Sequence, residues 1–452
     1  MRKVVLLLTV VLLLSSVMVF AGAQKEAETA TEITEFDWRN FEGTTIRVLA
    51  NRHPWTNAVE PLIPEFEELT GIKVNLEVYP EDQFRSKRSV ELISGVAEID
   101  VTMLMPMQGG PRWISEEWAV PIDEFLNDPL LTSPEYDKED FLGAALDSEM
   151  STTYAPKGKK YLLGIPISVE NQALMYRKDI FEKYNLSVPK TVDEMYETAK
   201  FVNENIPDMV GIVMRGKRAA ATSQWSSMLY TMGGSWLDEN GCPAINTPEA
   251  IAAFDMWGKL ARDGSVGQEL VAYHWYETTT DFSQGRAAMH WGPCNFNAIY
   301  EDPEKSKVVG KVGYARIPEG PTGKSIPYIG TWGLSIPYLS KNREAGWYFI
   351  QWATSQDMVK RLMLEHMILG GRKSAWQDPE LEKFLPKDLI ESSMASLEVA
   401  KPFNPPVIQI SEVRDIVGSV IVTSIQGGDV QAAADDANRL LADAIGKGDE
   451  CR

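Results

Sequence analysis

The chain has 452 residues, 44% hydrophobic and 24% charged, with a formal net charge of −20. That is a globular mixture long enough for two or three domains, and so acidic a surface excludes nucleic acid and anionic lipid as partners. Its three cysteines, Cys242, Cys294 and Cys451, show no metal-ligand spacing.

The amino terminus reads as an export signal. Arg2 and Lys3 precede an apolar run over 4–14, broken only by Thr9, and Ala21-Gly22-Ala23 supplies small residues for cleavage before Gln24. The apolar core is short for a membrane span, and no cysteine near the cleavage site encodes a lipid anchor. No other long apolar run follows. Export permits one disulfide, and the odd cysteine count leaves one thiol over. Cys242 with Cys294 is one pairing the sequence allows, and the choice stays open.

Residues 24–43 read as a flexible leader. A strand at 45–50 is followed by a helix capped at Thr56 and stopped at Gly71, with Val59, Leu62, Ile63, Phe66 and Leu69 at helical spacing. An alternating strand at 73–79, a helix at 82–94 stopped by Gly95, and a strand at 101–105 complete a βαβαβ run. This predicts a parallel sheet with right-handed crossovers, whose ligands sit at the carboxyl ends of the strands. Those ends are 51–55, with Trp55, and 106–108, with Gln108.

The stretch 161–181 has two extended segments, 162–167 and 173–176, separated by the polar run Ser168, Val169, Glu170, Asn171 and Gln172. It is an ordinary polar loop or a crossover in which the chain passes from one lobe to another and lines the cleft between them. Beyond it come a helix at 191–203, a strand at 210–214 ending at Arg215, a helix at 224–232, and a helix at 246–263 capped by Asn246 or Thr247. A helix leads a strand back through 280–293. Strands follow at 312–317 and 328–336, then a helix at 340–364 and a mostly helical carboxyl-terminal part to 445.

Searches for chemistry return decoys. Residues 320–325 (GPTGKS) suggest a phosphate loop, but Pro318 stands where its opening glycine belongs. Glu170 with Glu277 is the carboxylate pair to test for glycoside cleavage. The aromatics say more: among 13 Trp, 15 Tyr and 15 Phe, Trp257, Trp347 and Trp352 are spaced as helix packing. Trp55, Trp225, Trp236, Trp275, Trp291 and Trp332 sit at element ends, where indole faces can cover the C–H faces of a sugar.

Residues 165–204 resemble the lobe-crossing segment of bacterial ABC-transporter solute-binding proteins of the maltose-binding type. Residues 214–236 (MRGKRAAATSQWSSMLYTMGGSW) resemble the polyol and monosaccharide branch, and 290–296 (HWGPCNF) resemble the second-crossing motif, with Cys294 where maltodextrin binders carry Trp. The resemblance implies an α/β fold: a two-lobed periplasmic binding protein of Venus-flytrap form with three inter-lobe crossings. The first lobe is expected at 44–168 with 295–353 and the second at 172–291 with 354–445. It further implies a periplasmic, monomeric receptor without cofactor or metal, which takes a mono- or disaccharide or sugar alcohol and delivers it to a membrane permease. The ligand-binding residues expected are Trp55, Gln108, Glu170, Asn171, Arg215, Trp225, Trp236, Trp291, Trp332 and Arg372. An exported glycoside hydrolase, or a binder of a polyamine or peptide, is the alternative.

Overall fold

The structure is a computed structural model that describes residues 33–451 except 97 and 156. The expected signal peptide, 1–23, and the first part of the leader lie outside the described residues.

The βαβαβ run forms. Strand β1 (Thr45–Asn51) pairs in parallel with β2 (Lys73–Tyr79) and with β3 (Val101–Leu104). Helices α1 (Pro54–Val59) and α2 (Ile63–Thr70) link β1 to β2, and α3 (Glu81–Ser94) links β2 to β3. The α1 cap differs from the expected Thr56. His53 Nδ1 accepts the Trp55 N–H at 3.1 Å, and Pro54, with φ already helical, takes the first turn. Thr56 is buried and gives its hydroxyl to the Asn51 carbonyl at 2.8 Å. Gly71 and Gly95 end α2 and α3 at φ 71° and 70°, a conformation glycine adopts without steric cost.

Strand β4 (Ile165–Arg177) organises the rest. The two extended segments expected around a polar break are one strand of 13 residues. Its first half pairs antiparallel with β8 (Tyr328–Ser335), from Ile165 opposite Leu334 to Asn171 opposite Ile329. Its second half pairs with β6 (Ala287–Pro293) from Gln172 onward and with β7 (Val312–Ala315) from Leu174 onward. The backbone groups of the polar residues are thus spent on ladders, and the change of partner falls between Asn171 and Gln172. Beyond β6 lies β5 (Val210–Val213), paired in parallel, so the strand order is β2-β1-β3-β8-β4-β6-β5.

Two cores flank this switch. The first gathers Ile46, Phe66, Phe84 and Ile165 with Leu334 and Trp347. The second gathers Leu174, Met195, Trp225 and Trp257 with Ile317 and Val420. A third, built on Ala173, Met175, Tyr314 and Leu389, lies under the second half of β4. After 295, β7 pairs with the second half of β4, Ile317 packs in the second core, and β8 pairs with the first half of β4. The helix expected over 340–364 is two, α9 (Arg343–Ala353) and α10 (Gln356–His366), because Ser355 starts a new one by accepting the Met358 N–H at 3.2 Å. Helix α10 gives Met358 and Leu362 to the first core and Val359 and Met363 to the third. The disulfide joins Cys242 to Cys451, so pairing of Cys242 with Cys294 is overturned. Cys294 follows β6, buried, its thiol on Asn171 Oδ1 at 2.9 Å.

Candidate functional site

The carboxyl ends of the strands converge on one cavity of about 440 Å³, counted with its mouth open to solvent. From the first sheet come Asn51 at the end of β1, Arg52 and His53 after it, Glu81 at the start of α3, and Met105 and Gln108 after β3. From the opposite side come Arg215 after β5, Ser223, and Trp275 and Phe296. Helix α6 (Arg218–Thr231) carries Ser223, and α8 (Trp275–Ser283) opens on Trp275. Glu170 on β4 and Tyr328 and Trp332 on β8 form the floor, where the partner change places them between the two halves.

The polar lining is held in place by its neighbours. Glu170 Oε1 lies 3.1 Å from His53 Nε2 and accepts the Asn295 amide at 2.9 Å. Arg215 donates its backbone N–H to Gln224 Oε1 at 2.8 Å and Nη1 to Ser223 Oγ at 3.1 Å. Asn51 Oδ1, Gln108 Oε1 and Arg215 Nε are buried with no protein partner. A buried polar atom left unpaired costs about 1–3 kcal/mol, so these three atoms leave hydrogen-bonding capacity at the cavity. Apolar faces stand beside them. Trp275 packs on Phe296 with ring centres 5.6 Å apart, and Trp332 lies 5.9 Å from His53 with the Arg85 guanidinium 5.4 Å from its ring centre.

Both signs of charge line the cavity, Glu81 and Glu170 with Arg52 and Arg215. Burial pushes the Glu81 carboxyl up, but Arg85, His274, Arg215 and Arg414 outweigh it and hold it down at about 2. Burial, then Arg215, pushes His274 down to about 4. Across the mouth, Glu81 N–H points to the Tyr276 hydroxyl at 3.5 Å and Lys217 faces Asp82 at 3.8 Å.

Of the expected binding residues, Gln108, Glu170, Arg215 and Trp332 line the cavity. The others do not. Trp55 is sunk in the first core. Asn171 is buried against Cys294. Trp225 stacks on Phe254 with ring centres 4.2 Å apart, and Trp236 meets Trp225 edge-on at 5.7 Å. Trp291 gives its indole N–H to the Gln224 carbonyl at 3.2 Å. Arg372 is fully buried on the Thr354 carbonyl at 2.7 Å and against Asp140 at 3.5 Å. In each case packing or hydrogen bonding away from the cavity holds the side chain expected in the cleft. The carboxylate pair also fails to assemble: Glu277 Oε2 accepts the His274 N–H at 2.8 Å in the α8 capping box. Phe403 also lines the cavity, and His53, Glu81, Phe296, Tyr328 and Phe403 were not among the expected binding residues. His53 lies within the strand end 51–55, whereas Phe403 arrives from the carboxyl-terminal part with no local signal. Among the described residues no cluster of three metal-ligating side chains occurs.

Residues 52–360 match the family model described as bacterial extracellular solute-binding protein. The erythritol/L-threitol-binding protein of Mycolicibacterium smegmatis is 27% identical over 352 residues, 74% of this chain and 71% of that protein. An ABC transporter solute-binding protein of Agrobacterium radiobacter K84, solved with ribitol, is similar at a TM-score of 0.79 and 27% identity, over 88% of this chain and 98% of that one. A maltose-bound protein of T. maritima reaches a TM-score of 0.78 at 22% identity, over 88% and 99% of the two chains, a likeness of fold.

Proposed function

The chain belongs to the bacterial extracellular solute-binding protein family, and from that premise we propose that it closes two lobes on a mono- or disaccharide or a sugar alcohol and hands it to the permease of an ABC importer. One observation carries this: the cavity sets aromatic faces, Trp275 and Trp332, beside buried polar atoms of Asn51, Gln108 and Arg215 that lack protein partners. Sugar C–H faces suit the first and hydroxyls the second. Relatives binding erythritol, L-threitol and ribitol favour a short polyhydroxylated ligand.

Function follows from differential binding. A ligand touching Gln108 and Trp332 on one side and Arg215 and Trp275 on the other makes its full set of contacts only when the lobes close, so it shifts the population to the closed form. We place the first lobe at 44–168 with 328–353 and the second at 172–317 with 404–445, with 354–403 wrapping the hinge. The protein is exported as a monomer, its signal cleaved before Gln24.

The rivals meet physical obstacles. A glycosidase needs a carboxyl raised toward neutrality as its acid, and Glu81 is driven the other way. A polyamine needs an excess of converging acids, whereas Arg52 and Arg215 match Glu81 and Glu170 in this cavity. Thermal shift and calorimetry with erythritol, ribitol, mannitol, glucose, maltose and maltotetraose test the reading. A short polyol or sugar raises the melting midpoint and binds tightest. Tightest binding of maltotetraose refutes the compact site, and catalytic release of sugar refutes the receptor.

A further inference from the structure

Gln108 stands between two spaces. The same side chain lines a second, larger space of about 1050 Å³, open to solvent, between α3, α4 (Pro106–Ser115) and the start of the helix Ile410–Ile425. Arg85, Arg88 and Arg112 line it, with Trp113 and Trp118 beside them. In a chain of net charge −20 this is an unusual concentration of cations.

Arg88 is 5% exposed. Its Nη1 donates to the Met103 carbonyl and its Nε has no partner. The guanidinium lies between rings, 4.8 Å from Phe84 and 5.1 Å from Trp113. Arg112 lies over Trp118 at 5.1 Å. Among the described residues neither arginine makes an ion pair, although Arg85 beside them is paired with Glu81. Burial, and after it the charge of Arg85, pushes Arg88 down to about 9. A buried cation without a carboxylate is costly unless something else supplies the negative charge. The carboxyl-terminal helix adds to the same field. Gln409 caps it with no side-chain hydrogen bond, and Ile410, Ser411 and Glu412 of its first turn line the space. Their N–H groups are among those a helix start leaves unpaired, and the helix dipole favours an anion there. The acids on the rim, Glu116 and Glu412, are exposed.

We propose that this arm holds the anionic group of an acidic sugar whose hydroxylated part fills the compact cavity. The proposal rests on the sugar-binding reading above. The shared chemistry is an oxyanion, carboxylate or phosphate, joined to a polyhydroxylated chain. Guanidinium groups pair with either, and Trp113 and Trp118 carry the guanidiniums of Arg88 and Arg112 against their rings.

Calorimetry on the mature protein compares each anion with its neutral counterpart: gluconate and sorbitol 6-phosphate with sorbitol, and glucuronate and glucose 6-phosphate with glucose. At least one anionic partner binds about tenfold or more tighter than its neutral counterpart, the preference shrinks as salt is raised, and the tighter of carboxylate and phosphate identifies the group. In Arg112→Gln, an exposed position, the ratio of anionic to neutral affinity falls toward one. If neutral compounds bind as well as every anion, or if both R112Q and R88K keep the wild-type ratio, the proposal is overturned. Failure of every sugar and polyol, neutral or charged, would instead sink the receptor reading itself.

Discussion

Arg215 and Trp225 are ten residues apart and show why position along the chain is a weak guide to the cleft. Arg215 follows β5 directly, and its Nε reaches the cavity with no protein partner. Trp225 lies within α6, and its ring stacks on Phe254 inside the second core. A tryptophan near an element end can turn toward solvent or toward the core, and only the packing behind it decides. Replacing Arg215 by Ala removes a charged donor, so affinity for the best ligand falls about ten- to a hundredfold, as hydrogen bonds to charged groups are worth about 1.5–3 kcal/mol. Calorimetry reads this directly. Trp332→Ala lowers affinity comparably, because its face is part of the cavity floor. Trp225→Ala behaves differently: the protein loses about 3–5 kcal/mol of stability in urea, and the folded fraction keeps its affinity. Equal losses of affinity in W225A and W332A would mean that the cavity has been assigned to the wrong side chains.

Elements with strong local signals were legible in the sequence. β1, β2, α3 and the Thr247 cap of α7 (Pro248–Gly264) fall within a residue or two of expectation, since each has a clear period and a glycine or hydroxyl at its end. Elements buried on every side were not. α6 begins at Arg218 rather than Gln224 and is buried from Ala221 to Thr231, so it has no polar face to reveal its period. β4 hid its polar centre for a related reason: Glu170 reads as a loop residue until His53 and Asn295, distant in sequence, satisfy its carboxylate. The packing of α5 (Val192–Asn205) on β5 is equally silent in the sequence. A Cβ on Gly211 would fall 1.9 Å from the Ala199 carbonyl oxygen, which is backbone and cannot yield. Gly211→Ala therefore forces helix and strand apart and lowers the unfolding midpoint in urea, with a loss of roughly 1–3 kcal/mol. A midpoint within error of wild type would show that the helix slides without cost.

For the whole molecule, two carboxyls set opposite limbs of the stability profile against pH. Glu81 is held at about 2, below its ordinary 4.5, so its contribution is complete above 4.5 and is lost as pH falls toward 2. Glu149 works in reverse. It is fully buried at the end of the helix Gly143–Glu149, beneath β4 and β8. Thr331 donates to Oε1 at 2.7 Å, Oε2 has no partner, and a Cβ on Gly333 would fall 2.5 Å from Oε2. Burial, opposed only by the Thr331 hydrogen bond, raises this carboxyl from 4.5 to about 8. The folded protein therefore keeps a proton that the unfolded chain releases above 4.5. Its contribution is complete below that pH and declines through the window from 4.5 to about 8. The slope for one such group is about 1.4 kcal/mol per pH unit. Glu149→Gln keeps the shape and the acceptor for Thr331 but cannot ionise. Urea unfolding of both proteins at pH 5, 6, 7 and 8 isolates the term, because every other titrating group is common to the pair. The stability of E149Q relative to wild type should rise steadily across that range and level off above it. A constant difference between the two proteins would show that Glu149 is already ionised in the fold and that its charge is met by a group other than Thr331.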